Sequence, residues 1–228
     1  MPEHVRVAQT DDEVWMVFMN SEPNNQLTAE FIGQLNGALD NVEQQWKDAG
    51  SKGGALVITS QIPKSFSAGI AEADSKDTKF INEVFEPLKT RLLTYPLVTI
   101  AAINGDALGA GFLLALLCDH RTIHSSKGTY SLQDAVLGHS IPDILKVMMK
   151  DAKAAEDTAG GKVWSTDDLY DAGLVEEVID NGGMNLGMLG ERSGEIAAEK
   201  GEASADGKHG KSKLQKFKDV LSKVKGKL

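Results

Sequence analysis

Two uninterrupted apolar stretches constrain this chain most: residues 55–59 (Ala-Leu-Val-Ile-Thr) and residues 98–103 (Val-Thr-Ile-Ala-Ala-Ile). A strand with one wet face alternates polar and apolar residues. A run without alternation suits a strand covered on both faces, as in the parallel sheets of α/β layers. Helical patterns separate these runs and precede them. Thr28 is an N-cap position for a helix carrying Phe31, Leu35, Leu39 and Val42, and a second helical segment covers 85–93. Strand, helix and strand in this order predict an α/β layered fold with right-handed crossovers. Residues 5–7 and 14–18 read as a hairpin about an acidic turn at 11–13, and 20–26 as a polar, turn-prone connection.

The chain has 228 residues, 41% of them apolar, enough for a sizeable core. Its formal charge of −9 speaks against general nucleic-acid binding, which needs a basic surface to displace counterions. The single cysteine, Cys118, lies in the apolar run 112–118 and reads as a buried, inert thiol in a reducing compartment. No apolar run approaches the ~20 residues that span a bilayer. The polar residues 1–6 do not read as a signal peptide, so a soluble intracellular protein is expected. His4, His124, His139 and His209 show no metal-ligand spacing. His120 and Arg121 read as capping and ion-pairing residues at a helix end. Trp164 is expected in the core. The character changes after residue 180: 181–212 is rich in glycine, small and charged residues, and reads as a loose segment. Beyond it, Leu214, Phe217, Val220, Leu221, Val224 and Leu228 recur at helical spacing among lysines, as in a basic amphipathic helix.

Two glycine-bearing segments follow the two buried strands. The first is Ser65-Phe66-Ser67-Ala68-Gly69-Ile70; the second is Asn104-Gly105-Asp106-Ala107-Leu108-Gly109-Ala110-Gly111. Glycines there permit tight turns and close backbone approach to a ligand. The second segment enters an apolar helix, whose first N–H groups favour negative charge. Two such donors facing one point would form an oxyanion hole. Glycine turns after strands are also common purely as structure, and spacing alone leaves both readings open.

Taken together, several motifs resemble the enoyl-CoA hydratase/isomerase (crotonase) family. Phe66-Ser67-Ala68-Gly69 is similar to its first oxyanion segment. Residues 101–111, continuing to Cys118-Asp119, are similar to its second. Residues 130–138 resemble the segment of the active-site acid, and Trp164-Ser165-Thr166 through Ala172-Gly173-Leu174-Val175 the later helix and turn. The opening 18–28, with Pro23 and Leu27-Thr28, also fits. The resemblance covers residues 5–180 and implies a crotonase-like fold of stacked ββα turns with a C-terminal helical portion. It divides the chain into a core at 1–180 that carries the acyl-CoA site and a glycine-rich segment with a basic helix at 181–228. It further implies a trimer or a dimer of trimers, coenzyme A as part of the substrate, and no metal or redox cofactor.

Residue by residue, the resemblance puts the two oxyanion donors on the backbone N–H groups of Ile70 and Ala110. Substrate-binding positions fall on Phe66, Ala68, Gly69, Gly109 and Leu113. Family hydratases carry two glutamates; the position of the first corresponds to Leu113, which cannot activate water. The second corresponds to Asp134, in Leu132-Gln133-Asp134. One acid without the other resembles the Δ3-Δ2 enoyl-CoA isomerases, and 129–142 is similar to those of peroxisomes. Asp134 is one methylene shorter than the usual glutamate. Glu72 and Asp74 lie close by in sequence as alternative proton carriers, but read as surface residues. Other chemistry on the same enolate, such as thioester hydrolysis or retro-Claisen cleavage, is the second expectation; a non-catalytic acyl-CoA-binding protein is the third. Lys213, Lys216 and Lys223 are read either as a solvated helix face or as contacts for CoA phosphates. Gly226-Lys227-Leu228 resembles the Ser-Lys-Leu peroxisomal address.

Overall fold

A computed structural model describes residues 3–10, 13–124, 128–132, 145, 149, 151–180 and 186–201. The chain opens with β1 (Val5–Gln9) and β2 (Val14–Met19), paired antiparallel with Val5 opposite Met19, as the hairpin pattern predicts. Next comes α1 (Ala29–Asp48), whose first turn is capped by Thr28: its Oγ1 accepts the Phe31 N–H at 3.2 Å. Strands β3 (Ala55–Ser60), β5 (Val98–Ile103), β7 (His120–His124) and β9 (Glu177–Ile179) then add in parallel, giving the order β1-β2-β3-β5-β7-β9. A second, three-stranded parallel sheet has the order β4-β6-β8, from β4 (Lys64–Ser67), β6 (Gly105–Leu108) and β8 (Tyr130–Ser131). Two sheets of largely parallel strands with helices between them are the α/β layering that the sequence predicts.

The unbroken apolar runs now have their reason. Along β3, Leu56 and Ile58 face the cluster built with Phe31, Leu35, Leu39 and Val42 of α1. Ala55 and Val57 face the opposite cluster, completed by Leu189, Ile196 and Ala197. Every residue of β3 and β5 is buried. Burial on both faces removes the need for polar alternation.

Between β4 and β5 run α2 (Glu72–Ser75), α3 (Thr78–Phe80), a π-helical turn (Ile81–Phe85) and α4 (Glu86–Leu93). Pro87 has no N–H to donate and its ring crowds the preceding turn, which accounts for the widened turn before α4. All eight residues of α5 (Ala110–Leu117) are buried, as is Cys118. α6 (Ala152–Ala159) and α7 (Thr166–Asp171) follow; a reciprocal Ser165–Asp168 capping box starts α7.

One expectation holds and one is corrected. His120 and Arg121 open β7 just past the end of α5: Arg121 Nη1 donates to the carbonyl of Cys118, the C-cap of α5, at 2.8 Å, and Glu176 Oε1 lies 3.1 Å from His120 Nδ1 and 3.8 Å from Arg121 Nη2. Part of the glycine-rich segment is packed: Leu186–Gly201 forms α8, which covers the outer face of the larger sheet. Its small residues allow that approach. A methyl on Gly190 would lie 3.1 Å from Met16 Cε, and one on Gly201 2.9 Å from the Gly54 backbone. Tertiary burial here overrides weak helix propensity. Among the described residues, no helix is long and apolar enough to cross a membrane.

Candidate active site

The two glycine segments meet at the end of the smaller sheet. β4 and β6 run parallel, with a register shift between Ser65 and Ser67, and each leads into its glycine turn. Gly69 has φ +80°, a left-handed conformation that suits glycine. A methyl there would stand 2.6 Å from the Leu108 carbonyl oxygen and 3.1 Å from the Ala110 nitrogen. The first segment therefore rests directly on the backbone of the second. Gly109, with φ 51° and ψ −123°, turns β6 into α5; its N–H donates to the Ser131 carbonyl at 2.7 Å.

This packing leaves two donors unspent. Among the described residues, no acceptor takes the N–H of Ile70 or of Ala110. Ile70 is 6% exposed and Ala110 fully buried. Buried backbone N–H groups are almost always paired, so two such groups on adjoining turns are a costly arrangement unless an oxygen from outside the chain meets them. The Ala110 donor also stands at the positive end of α5. Chemically, such a pair suits an oxygen on which negative charge develops.

The other residues singled out from sequence take definite places. Phe66 and Leu113 are fully buried, Leu113 one turn into α5. Ala68 is half-buried and donates its N–H to the Asn24 carbonyl at 2.9 Å. Asp134 and His139 lie outside the described residues, as do Lys213, Lys216, Lys223 and 226–228. The chain leading to Asp134 is described as far as Leu132: Tyr130 and Ser131 pair with Ala107 and Leu108, beside the second turn. Glu72 is almost fully solvated, 3.6 Å from Lys76, and Asp74 is half-buried. Trp164 is in the core, with Lys162 Nζ 3.7 Å above its ring. Burial pushes the Tyr130 phenol up to about 12, against the opposing hydrogen bond from Thr166, so at neutral pH it is a neutral hydroxyl and no base. No cluster among the described residues would hold a metal ion. An open groove of about 560 Å³, lined by Asp167, Tyr170, Asp171, Glu176, Glu177 and Val178, shares no residue with the two glycine turns.

Sequence reasoning missed the residue on which the first turn hangs. Asn25 is fully buried, with φ +51°. Its Oδ1 accepts the Ser21 N–H at 2.7 Å, and its Nδ2 donates to Ser60 Oγ at 2.7 Å and to the Phe66 carbonyl at 3.0 Å. Its own carbonyl accepts the Ser67 hydroxyl at 2.7 Å. Asparagine tolerates the left-handed region and bonds well to nearby backbone. The available signal was an Asn-Asn pair in a polar connection.

A family model described as enoyl-CoA hydratase/isomerase matches residues 10–185. Enoyl-CoA delta isomerase 1, mitochondrial, of Rattus norvegicus is 32% identical over 174 residues, 72% of this chain and 58% of the rat protein. A probable enoyl-CoA hydratase of Bacillus subtilis is 31% identical over 176 residues, 72% of this chain and 65% of its own length. The chain thus spans less than two thirds of both relatives. In three dimensions, an enoyl-CoA isomerase of Mycobacterium tuberculosis superposes with a TM-score of 0.79, covering 99% of this chain and 96% of that one, at 24% identity. At that identity the likeness is one of fold.

Proposed function

Since this chain belongs to the enoyl-CoA hydratase/isomerase family, we propose that it converts 3-enoyl-CoA to 2-enoyl-CoA in fatty-acid β-oxidation, with Asp134 as the proton shuttle. The thioester oxygen sits between the N–H groups of Ile70 and Ala110. Their hydrogen bonds strengthen as the oxygen gains charge, which makes the C2 proton acidic; one such donor is typically worth ~2.7–4 kcal/mol of barrier. The Asp134 carboxylate removes the proton from C2, the electron pair delocalises into the dienolate, and the same proton returns at C4. The C3–C4 double bond becomes C2–C3, and carboxylate and donors end as they began. No other reactant enters, and CoA serves only as the handle of the substrate.

The observation that carries this reading is Leu113. It is buried and apolar at the position where family hydratases hold their first glutamate. Without that group, α5 offers water no base. Asp134 follows Ser131, the last residue of β8, by three residues, a chain length of at most about 11 Å. The rat relative's name supports isomerisation; the Bacillus relative's name favours hydration as the second reading. By the same family likeness the protein works as a trimer or a dimer of trimers.

The test is incubation of purified protein with a 3-enoyl-CoA, following the conjugated 2-enoyl thioester. Absence of turnover overturns the proposed reaction, and full activity in Asp134→Ala overturns the assigned shuttle.

A further inference from the structure

The geometry points to Ser67 as the positioning residue that sets the distance between the two donor turns, an inference resting on the oxyanion role proposed above. Ser67 is fully buried and joins three backbones. Its hydroxyl donates to the Asn25 carbonyl at 2.7 Å and accepts the Gly69 N–H at 3.2 Å, one residue before the Ile70 donor. On its other side it lies against Gly111, the residue after the Ala110 donor. A methyl on Gly111 would stand 2.4 Å from the Ser67 carbonyl oxygen and 2.7 Å from both its Cβ and Oγ. The irregularity in β4 places it there: Ser65 pairs with Asp106 and Ser67 with the next residue, Ala107, so Phe66 is the extra residue. Such bulges bend the strand and re-aim the residue that follows.

Ser67 therefore does two things. Through Asn25 and Gly69 it fixes the first turn to the connection before α1, and through contact with Gly111 it fixes that turn against the first turn of α5. Ile70 and Ala110 inherit their separation from this contact, while Ser67 itself touches no reacting atom. A hydroxyl is well suited here, because it donates and accepts at once in the space of a small side chain. Alanine fills the same space against Gly111 but releases Asn25 and Gly69.

A readout that senses the donors directly separates positioning from plain structural support. The absorption band of trans-cinnamoyl-CoA shifts to longer wavelength when its thioester oxygen is polarised, whether or not the protein turns over an enoyl-CoA. Wild type is expected to shift the band, and Ser67→Ala to lose most of the shift while still binding the probe. In the isomerase assay the same variant is expected to lose roughly 10- to 100-fold in kcat, the scale of an ångström-sized displacement. KM should stay within about threefold, because ground-state contacts are kept. Ser67→Cys, similar in shape but weaker in both hydrogen bonds, should show a smaller loss and covers the case in which Ser67→Ala does not fold. A folded Ser67→Ala or Ser67→Cys with wild-type band shift and kcat overturns the inference, as does a wild type that leaves the band unmoved. A wild type that shifts the band but has no isomerase turnover overturns the proposed reaction alone.

Discussion

Gly69→Ala tests the contact between the two turns most simply. The added methyl would start 2.6 Å from the Leu108 carbonyl oxygen, whereas ordinary contact begins near 3.4 Å, so the turns must part by about 0.8 Å. Alanine at φ +80° also carries the left-handed cost of ~1–2 kcal/mol. That cost alone lowers the melting temperature by roughly 2–8 °C in a domain of this size. The separation acts on chemistry. A misplacement near 1 Å costs ~10²-fold, and complete loss of one donor costs ~2.7–4 kcal/mol, or ~10²–10³-fold. The expected result is a folded protein, lower melting by several degrees, with kcat for 3-enoyl-CoA reduced at least about 50-fold, between no loss and the donor-loss limit. The assay is initial-rate kinetics beside a thermal melt at the same pH. A variant with the lowered melt but kcat within threefold of wild type would refute the reasoning, since the turns would then have separated without consequence.

Other perturbations have equally definite outcomes. Asn25→Ala leaves the Ser21 N–H and the Phe66 carbonyl without the Asn25 amide, while Ser60 Oγ keeps the Ser65 carbonyl and the Ile62 N–H; at ~1–3 kcal/mol for each of the two groups, about 3 kcal/mol of stability should disappear in denaturant unfolding. Gly33→Ala and Gly37→Ala lie on the exposed side of α1, where an added methyl meets nothing within 4 Å; each should stabilise by ~0.4–1 kcal/mol, visible as a rise of about 1–4 °C in melting. Burial pushes the Glu176 carboxyl up, but the His120 hydrogen bond and the Arg121 charge outweigh it and hold the group below its usual 4.5. A depressed carboxylate stabilises above its unfolded value and loses that contribution as pH falls through the folded one. Glu176→Gln should therefore melt below wild type at neutral pH, and the gap should close only as pH drops below 4.5; a gap unchanged across that range would contradict the sign.

How much was legible follows from where the information is local. The runs at 55–59 and 98–103, the Thr28 cap and the α1 stripe are set by neighbouring residues, and the structure reproduces them. The smaller sheet was hidden because β4, β6 and β8 have only four, four and two residues. Strands that short exist through long-range pairing, which a window of sequence does not contain. Helix α8 was obscured by its glycines, whose value lies in contacts with Met16 and Gly54, far away in sequence. Within the candidate site, the glycine turns were visible as motifs. Asn25 was not, because a polar residue in a polar stretch looks the same whether it is solvated or fully buried; Ser67 stood within the first motif, but its hydrogen bonds to Asn25 and Gly69 depend on the fold.

In the proposed reaction the enolate is made and quenched by a single carboxylate, with no activated water. Product analysis after incubation with a 3-enoyl-CoA, for wild type and Asp134→Asn side by side, tests it most directly. Expected are 2-enoyl-CoA from wild type, no 3-hydroxyacyl-CoA, and at least about a hundredfold slower conversion by the variant, in keeping with the ~10²–10⁴-fold typical of a general acid–base group. Accumulation of 3-hydroxyacyl-CoA, or unimpaired isomerisation by Asp134→Asn, would contradict it.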